Sequence, residues 1–530
     1  MTRPSPTILR AVGACAVAAT ALVGAGCTAS PAPSASASAG AVPPEIQAIM
    51  DDPTYAGGRW GLSVIDVATG EVLVAENVDE RFLTGSTAKI FSVTAALGEI
   101  DPDERFRTPV YAVGSVSGDT LTGDLVLQAS GDLTLGGRTL PDGTIDVPIF
   151  DHYDANALPG IATLTPEDPL AGLDDLAAQI AASGIRRVAG DVVIDDRLWE
   201  TPILDKVPIS PITINDNLID FTVTPGVEGA PATMDWRPRS AVYSPTISVT
   251  TGASDSAIDL DVTDGGAGHL TVVGSVPAGS EPVVHTFQVP DPARWARSLF
   301  IEALGRAGVQ VDADALGGNR SSALPSLDDL AGMTAVAAFT SPPFSETIRL
   351  INKVSHNLGA NQLPLLLAAR SGADPATLEV GISIVRAALA RGGLTADAVT
   401  VADGQGLPGN TVTPAGMTTY LRFLTGTPTF SVFDESTPVL GVDGSLAHVL
   451  PAGDPAIGHA RAKTGTLVGA GTTTPYILQT KALAGYIDAK SGRELAFALF
   501  VNDVPMTEVA GVLQANSDLG AIASALYSAY

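Results

Sequence analysis

The chain changes texture twice along its length. Residues 109 to about 330 are rich in Val, Thr, Ile, Gly and Asp, with alternating runs such as Asp191–Asp195, Ile219–Val223 and Leu270–Val273 that read as strands. Two helices, Leu173–Ser183 and Pro292–Ala307, interrupt them. The flanks carry longer helical patterns. Before the middle region, Trp60–Val74 reads as two short strands around a turn, and Thr87–Leu97 reads as a helix opened by small residues. After it come helices at Phe344–Val354, Leu358–Arg370, Pro375–Arg391 and Pro414–Leu424. Strands follow at His459–Leu467, Ala482–Asp488 and Glu494–Val501, with a last helix over Thr507–Leu526. This pattern predicts a mixed α/β domain in two parts, 45–108 and 331–530, interrupted by a mostly β insertion over 109–330. No fixed-period repeat is present.

Composition narrows the function. The 530 residues are 45% hydrophobic and 16% charged, which is globular and foldable. The net charge of −28 argues against a non-specific nucleic-acid binder, because phosphate contacts need clustered Lys and Arg. An anionic membrane surface would repel the folded body as well. Two cysteines exclude a disulfide scaffold and a four-cysteine zinc site.

The N-terminus reads as a targeting segment. Arg3 and Arg10 precede an uncharged run, Ala11–Gly26, of signal-peptide length. The run ends in Leu22–Cys27, which resembles a bacterial lipoprotein box, with Gly24 where a larger aliphatic residue is usual. The expectation is a signal peptide over 1–26, lipidation at Cys27 and an Ala/Ser/Pro linker over 27–44. Removal of the leader discards Cys15 and leaves Cys27 without an intramolecular partner. The alternative is a plain secretory signal cut within Ser34–Ala39, giving a secreted protein.

Only six lysines are present, at 89, 206, 353, 463, 481 and 490, so lysine-centred motifs carry weight. In Ser86-Thr87-Ala88-Lys89, positions three apart share a helix face, which brings an amine to a hydroxyl. A lysine held neutral by burial can serve as base for a serine nucleophile. A serine three residues before one of so few lysines arises by chance roughly half the time. Lys463-Thr464-Gly465 is rarer, arising in about one such chain in twenty. On a strand beside a cleft it offers a cation, a hydroxyl and a place for close approach. Ser355-His356-Asn357 carries little alone. Its weight comes from order: Ser-x-x-Lys, Ser-x-Asn, Lys-Thr-Gly is the motif set of serine β-lactamases and penicillin-binding proteins.

With these motifs the chain resembles the low-molecular-mass class C penicillin-binding proteins of the D-alanyl-D-alanine carboxypeptidase/endopeptidase type. Ser355 follows Lys89 by 266 residues, matching the group with a large insertion. Further similar stretches are Gly123–Asp132, Gly184–Asp195, Ser341–Phe344, Asp403-Gly404 with Gly406-Leu407, Gly441–Leu446 and Leu483–Tyr486, so the likeness spans roughly residues 50 to 505.

The resemblance implies an α/β (α+β) fold, a β-lactamase/DD-peptidase-like domain with a five-stranded antiparallel sheet. It implies a catalytic set of Ser86 as acylated nucleophile, Lys89 as its base, Ser355 as proton relay, Asn357 on the substrate amide and Lys463 as the source of positive potential. It further implies substrate binding by the Lys463-Thr464-Gly465 strand, with Thr464 and Thr466 on the terminal carboxylate. The N–H groups of Ser86 and Thr466 would form the oxyanion hole. Peptidoglycan stem peptides are the implied substrate and β-lactams the covalent inhibitors. The expected location is the outer face of the cytoplasmic membrane or the cell wall, with membrane contact only through the lipid on Cys27.

The sequence departs from the family pattern at three places, one of them an enlarged stretch, Gly469–Gln479, after the third motif. His356 stands where Asp is usual. Gln405-Gly406-Leu407-Pro408 stands where Ser-Gly-Leu-Ser, often with an arginine that reads the stem side chain, is usual. Two other functions stay open on the sequence: a β-lactamase or esterase on the same fold, and a catalytically weak cell-wall-binding lipoprotein. The six histidines show no close metal-ligand spacing, and no phosphate-binding glycine loop follows a strand, so neither a metal nor a cofactor is expected.

Overall fold

The computed structural model describes residues 40–471, 474–508 and 510–530. The leader 1–26, Cys27 and most of the linker 27–44 therefore lie outside the described residues. Among the described residues no helix is long and apolar enough to cross a membrane.

The two ends of the chain build one sheet. Its order is Val72–Glu76, Arg59–Asp66, Glu494–Met506, Tyr476–Asp488, Ala460–Ala470, with every neighbouring pair antiparallel. This is the five-stranded antiparallel sheet implied by the motifs. Trp60 stands opposite Val501 and Leu62 opposite Leu499, so the first and last parts of the chain close on each other. Strand side chains alternate between faces, and here both faces are buried. Leu495, Phe497, Leu499 and Val501 share a core with Leu62, Val64 and the C-terminal helix residues Leu519, Ile522 and Leu526. Ala482, Ala484, Ala496 and Ala498 belong to the opposite core, with Ile90, Phe91, Leu358 and Leu421. Alanines on that face let the helices approach closely.

The predicted helices are present, with shifted ends. Phe344–Lys353, Asn357–Arg370 and Pro414–Leu424 match closely, and the Pro375–Arg391 segment starts only at Leu378, where the Thr377 side chain caps Val380 N–H. The last helix runs Ala510–Ala529. Short helices at Pro44–Met50 and Phe430–Ser436 were not expected. One difference matters for chemistry. Thr87–Leu97 is not one α-helix but a 3₁₀ turn, Gly85–Ala88, running into an α-helix, Lys89–Leu97. In a 3₁₀ turn residues three apart eclipse, so Lys89 stands directly over Ser86.

The middle of the chain builds its own core, with Leu125, Leu176, Val192, Phe221, Trp295 and Phe300 among its buried residues. A six-stranded sheet includes Thr120–Gln128, Arg105–Ser117 and Ala337–Pro343. Arg105–Ser117 and Ala337–Pro343 pair antiparallel, so the chain enters and leaves this region on adjacent strands. Two three-stranded sheets complete it, centred on Leu218–Thr224 and Leu270–Pro277.

Candidate active site

Three segments distant in sequence converge at the start of the helix Lys89–Leu97. Gly85 makes the turn possible. Its φ is +49°, and a Cβ there would lie 2.8 Å from Thr466 N. A Cβ on Gly465 would lie 2.3 Å from Thr84 O and 3.2 Å from Ser86 N. The turn and the strand Ala460–Ala470 can therefore approach only as glycine backbones. That approach brings the backbone nitrogens of Ser86 and Thr466 close to the facing glycines.

Lys89 Nζ donates to Ser86 Oγ at 2.7 Å, to Asn357 Oδ1 at 2.6 Å and to the main-chain oxygen of Gln405 at 3.2 Å. Among the described residues no carboxylate bonds it. Lys89 is fully buried, and burial lowers its pKa to about 7, with the charges of Asp154 and Asp403 opposing the shift. Ser355 lies at the left-handed φ of +61° and accepts from Lys463 Nζ at 2.9 Å. Lys463 also donates to Thr464 O at 3.0 Å. It is 1% exposed, and burial, reinforced by the positive charges of Lys89 and Lys481, pushes its pKa well down. Thr464 Oγ1 shares a 2.9 Å hydrogen bond with Ser445 Oγ. The structure thus brings together Ser86, Lys89, Ser355, Asn357, Lys463, Thr464, Gly465 and Thr466. Cys27 lies outside the described residues.

The departures at Gln405 and His356 have structural explanations. Gln405 meets Lys89 through its carbonyl, which any residue provides. The loop holding it is fixed by Asp403, whose carboxylate accepts from Gln405 N, Gly406 N and Asn410 Nδ2. His356 caps the helix Asn357–Arg370: its Nδ1 accepts from Gly359 N at 3.1 Å. Nδ1 therefore carries no proton, and Nε2 faces Asp216 Oδ2 at 3.2 Å. Asp216 belongs to a buried charge cluster from the middle region. Arg138 bonds both Asp151 and Asp216 at 2.5 and 2.6 Å, and His152 bridges Asp216 and Asp220 at 2.8 and 2.6 Å. Burial alone would lower the His152 pKa; Asp220 and Asp151 overcome it and raise the value to about 10. With Arg237 on Asp220 at 3.3 Å, Arg138, His152 and Arg237 stand against the three carboxylates Asp151, Asp216 and Asp220.

Asp151, Asp216 and His356 each offer a ligand atom within 4.8 Å of the others. The Arg138 guanidinium, however, already bonds both carboxylates, so the donor set is matched to an internal cation rather than to a metal. Sequence reading missed this cluster, Asp154, Ser445 and Lys481. For Lys481 alone a signal existed, since a lysine is scarce in this chain and this one sits in an apolar strand.

A serine, a buried lysine of lowered pKa, a Ser/Asn pair and a Lys-Thr-Gly strand thus meet in one cleft, and this is the motif set of serine β-lactamases and penicillin-binding proteins. Residues 43–519 match the D-Ala-D-Ala carboxypeptidase 3 (S13) family, and the chain belongs to it. It is 31% identical over 487 residues to the D-alanyl-D-alanine carboxypeptidase of Actinomadura sp., covering 86% of this chain and 80% of that protein. It is 22% identical over 470 residues to the D-alanyl-D-alanine carboxypeptidase DacB of Haemophilus influenzae, covering 84% and 86%. The crystal structure of penicillin binding protein 4 (dacB) from Haemophilus influenzae superposes with a TM-score of 0.67 at 18% identity, over 89% of this chain and 98% of that one. The chain is accordingly a serine-type D-Ala-D-Ala carboxypeptidase acting on peptidoglycan, which places its work outside the cytoplasm.

Proposed function

We propose that Ser86 is the nucleophile of this DD-peptidase and Lys89 its general base. The observation that carries this reading is the 2.7 Å bond from the fully buried Lys89 Nζ to Ser86 Oγ, with no carboxylate on the amine and a pKa of about 7. An ordinary lysine is charged at neutral pH and cannot take a proton; this one is poised to do so. Ser86 Oγ attacks the carbonyl carbon of the penultimate D-Ala while its proton passes to Lys89. The developing oxyanion lies against the N–H groups of Ser86 and Thr466. Ser355, bonded to Lys463, passes a proton to the departing amine of the terminal D-Ala, and water then hydrolyses the Ser86 ester. Asn357 holds the substrate amide, and Thr464 and Thr466 hold the terminal carboxylate. A β-lactam follows the same first step and stays attached, since its amine remains tethered.

The same reading takes residues 45–108 and 331–530 as the two parts of the catalytic domain and 109–330 as an insertion. The core centred in the middle region and the adjacent entry and exit strands support this division, although Leu133, Ile145, Trp199 and Ile209 of the middle region pack into the core of the catalytic domain. It also takes 1–26 as a signal peptide and Cys27 as the lipidated anchor, followed by a linker to residue 44. The test of the mechanism is mass mapping after labelling with fluorescent penicillin. One adduct on Ser86, abolished in Ser86→Ala, is expected. An adduct on another serine of folded protein overturns the assignment.

A further inference from the structure

Three of the six lysines lie buried around this cleft, and the mechanism uses only two of them. The third, Lys481, stands directly opposite Thr466 in the neighbouring strand and is 5% exposed. Its Nζ makes one hydrogen bond among the described residues, donating to Thr466 Oγ1 at 2.8 Å. No carboxylate lies within ion-pair distance of it among the described residues, although Asp and Glu outnumber Lys and Arg by 57 to 29 in the chain. Its strand neighbours Ala482, Leu483 and Ala484 are apolar and buried, so an apolar residue would fit here at no desolvation cost. Two of its three ammonium protons remain unused, beside a hydroxyl that opens on the cleft.

A buried cation without an internal counter-charge is suited to an anion that arrives from outside. Because Lys481 donates to Thr466 Oγ1, the hydroxyl's own proton is turned away from Lys481 and is free for an acceptor in the cleft. We propose that Lys481 is a second cation of the carboxylate pocket, a positioning residue that acts through Thr466 on the terminal carboxylate of the substrate. The inference rests on the reading of Thr466 as a carboxylate contact. Lys463 and Lys481 then divide the work. Lys463 bonds Ser355 and serves the proton relay, whereas Lys481 polarises the hydroxyl that meets the anion.

The test uses two D-alanyl thioesters on the full-length protein: one whose leaving group ends in a carboxylate, and its methyl ester. A thioester is reactive enough for both to be followed. The wild type should prefer the acid. Lys481→Met should lower kcat/KM for the acid about tenfold to a hundredfold, the range expected for one charge-assisted hydrogen bond, mainly through KM. It should leave the methyl ester within about twofold, and Lys481→Arg should recover part of the loss. Lys481→Gln, closer in polarity, gives the same comparison if the methionine variant folds poorly. An equal fall on both substrates makes Lys481 structural and overturns the proposal, as does a variant with an unchanged acid/ester ratio. A wild type that hydrolyses neither thioester refutes the mechanistic reading instead.

Discussion

Replacing Lys89 by methionine should kill the enzyme and make it more stable. The argument is one of burial. An ordinary lysine titrates near 10.5 and Lys89 at about 7, because the folded protein desolvates its ammonium. At 1.36 kcal/mol per pKa unit, that gap destabilises the fold by about 5 kcal/mol at any pH where both folded and unfolded lysine are charged. Methionine has similar length and no charge to desolvate. Against this gain, Ser86 Oγ and Asn357 Oδ1, both partly exposed to water, and the buried main-chain oxygen of Gln405 each lose a donor, costing about 2–4 kcal/mol in total. At pH 6, Lys89→Met should therefore be roughly 1–3 kcal/mol more stable than the wild type.

The pH dependence separates this cause from better packing. Between pH 7 and 10.5 the unfolded chain binds the proton and the folded chain does not, so wild-type stability rises with pH across that window. The methionine variant lacks this gain. Its advantage should shrink by about 3 kcal/mol between pH 6 and pH 9, where the remaining gap to the unfolded lysine is only about 1.5 pKa units. Lys463 and Lys481 titrate in both proteins and largely cancel. Urea unfolding at pH 6, 7.5 and 9 measures the difference, with penicillin acylation run in parallel. A variant less stable than wild type at pH 6, or one whose advantage does not fall with pH, refutes the desolvation argument. Acylation by the wild type should rise through pH 7 as Lys89 gives up its proton.

Two further outcomes are expected. His356→Asp keeps a helix cap but sets a further buried carboxylate against Asp216; urea unfolding should show it roughly 2–5 kcal/mol less stable than His356→Asn, and equal stability would remove the charge-cluster explanation for His356. Cys27→Ala should move the protein from the membrane fraction to the soluble one in cell fractionation, and unchanged retention would place the anchor elsewhere.

Much of this architecture was legible because it rests on local signals. Glu494–Val501 and Ala482–Asp488 read as strands, and they are; that both faces of them are buried emerges only from the fold. The catalytic candidates were legible because their chemistry is carried by motif order across 266 residues rather than by any one motif. What stayed hidden depends on tertiary approach. Nothing around Asp154 or Asp216 marks them as neighbours of Lys89 and His356, since the folding of the middle region alone brings them there. Gln405 read as a departure because sequence shows side chains, whereas its contact with Lys89 is through a backbone oxygen that no substitution alters. The 3₁₀ turn at Gly85–Ala88 was also invisible: the i, i+3 spacing fits an α-helix equally, and it is the close approach of the Gly465 strand that tightens the turn.

The chain carries a formal charge of −28, yet its substrate ends in a carboxylate. Distance and dielectric resolve the conflict. Surface carboxylates lie in water, where their field decays over a Debye length of about 8–10 Å. Lys463 and Lys481 are buried beside the cleft, where effective dielectric is lower and a charge acts at full short range. On the proposed reading, the field that an anion meets in the cleft is set by these lysines in their protonated forms rather than by the net charge. The same burial depresses the pKa of both when the cleft holds no anion, Lys481 to about 7. A bound carboxylate supplies the missing counter-charge and favours their protonated forms. Binding of the substrate anion and proton uptake by the site are therefore linked, and on the proposed mechanism Lys89, bonded to Ser86 and Asn357 and to no carboxylate among the described residues, is left as the amine free to act as base.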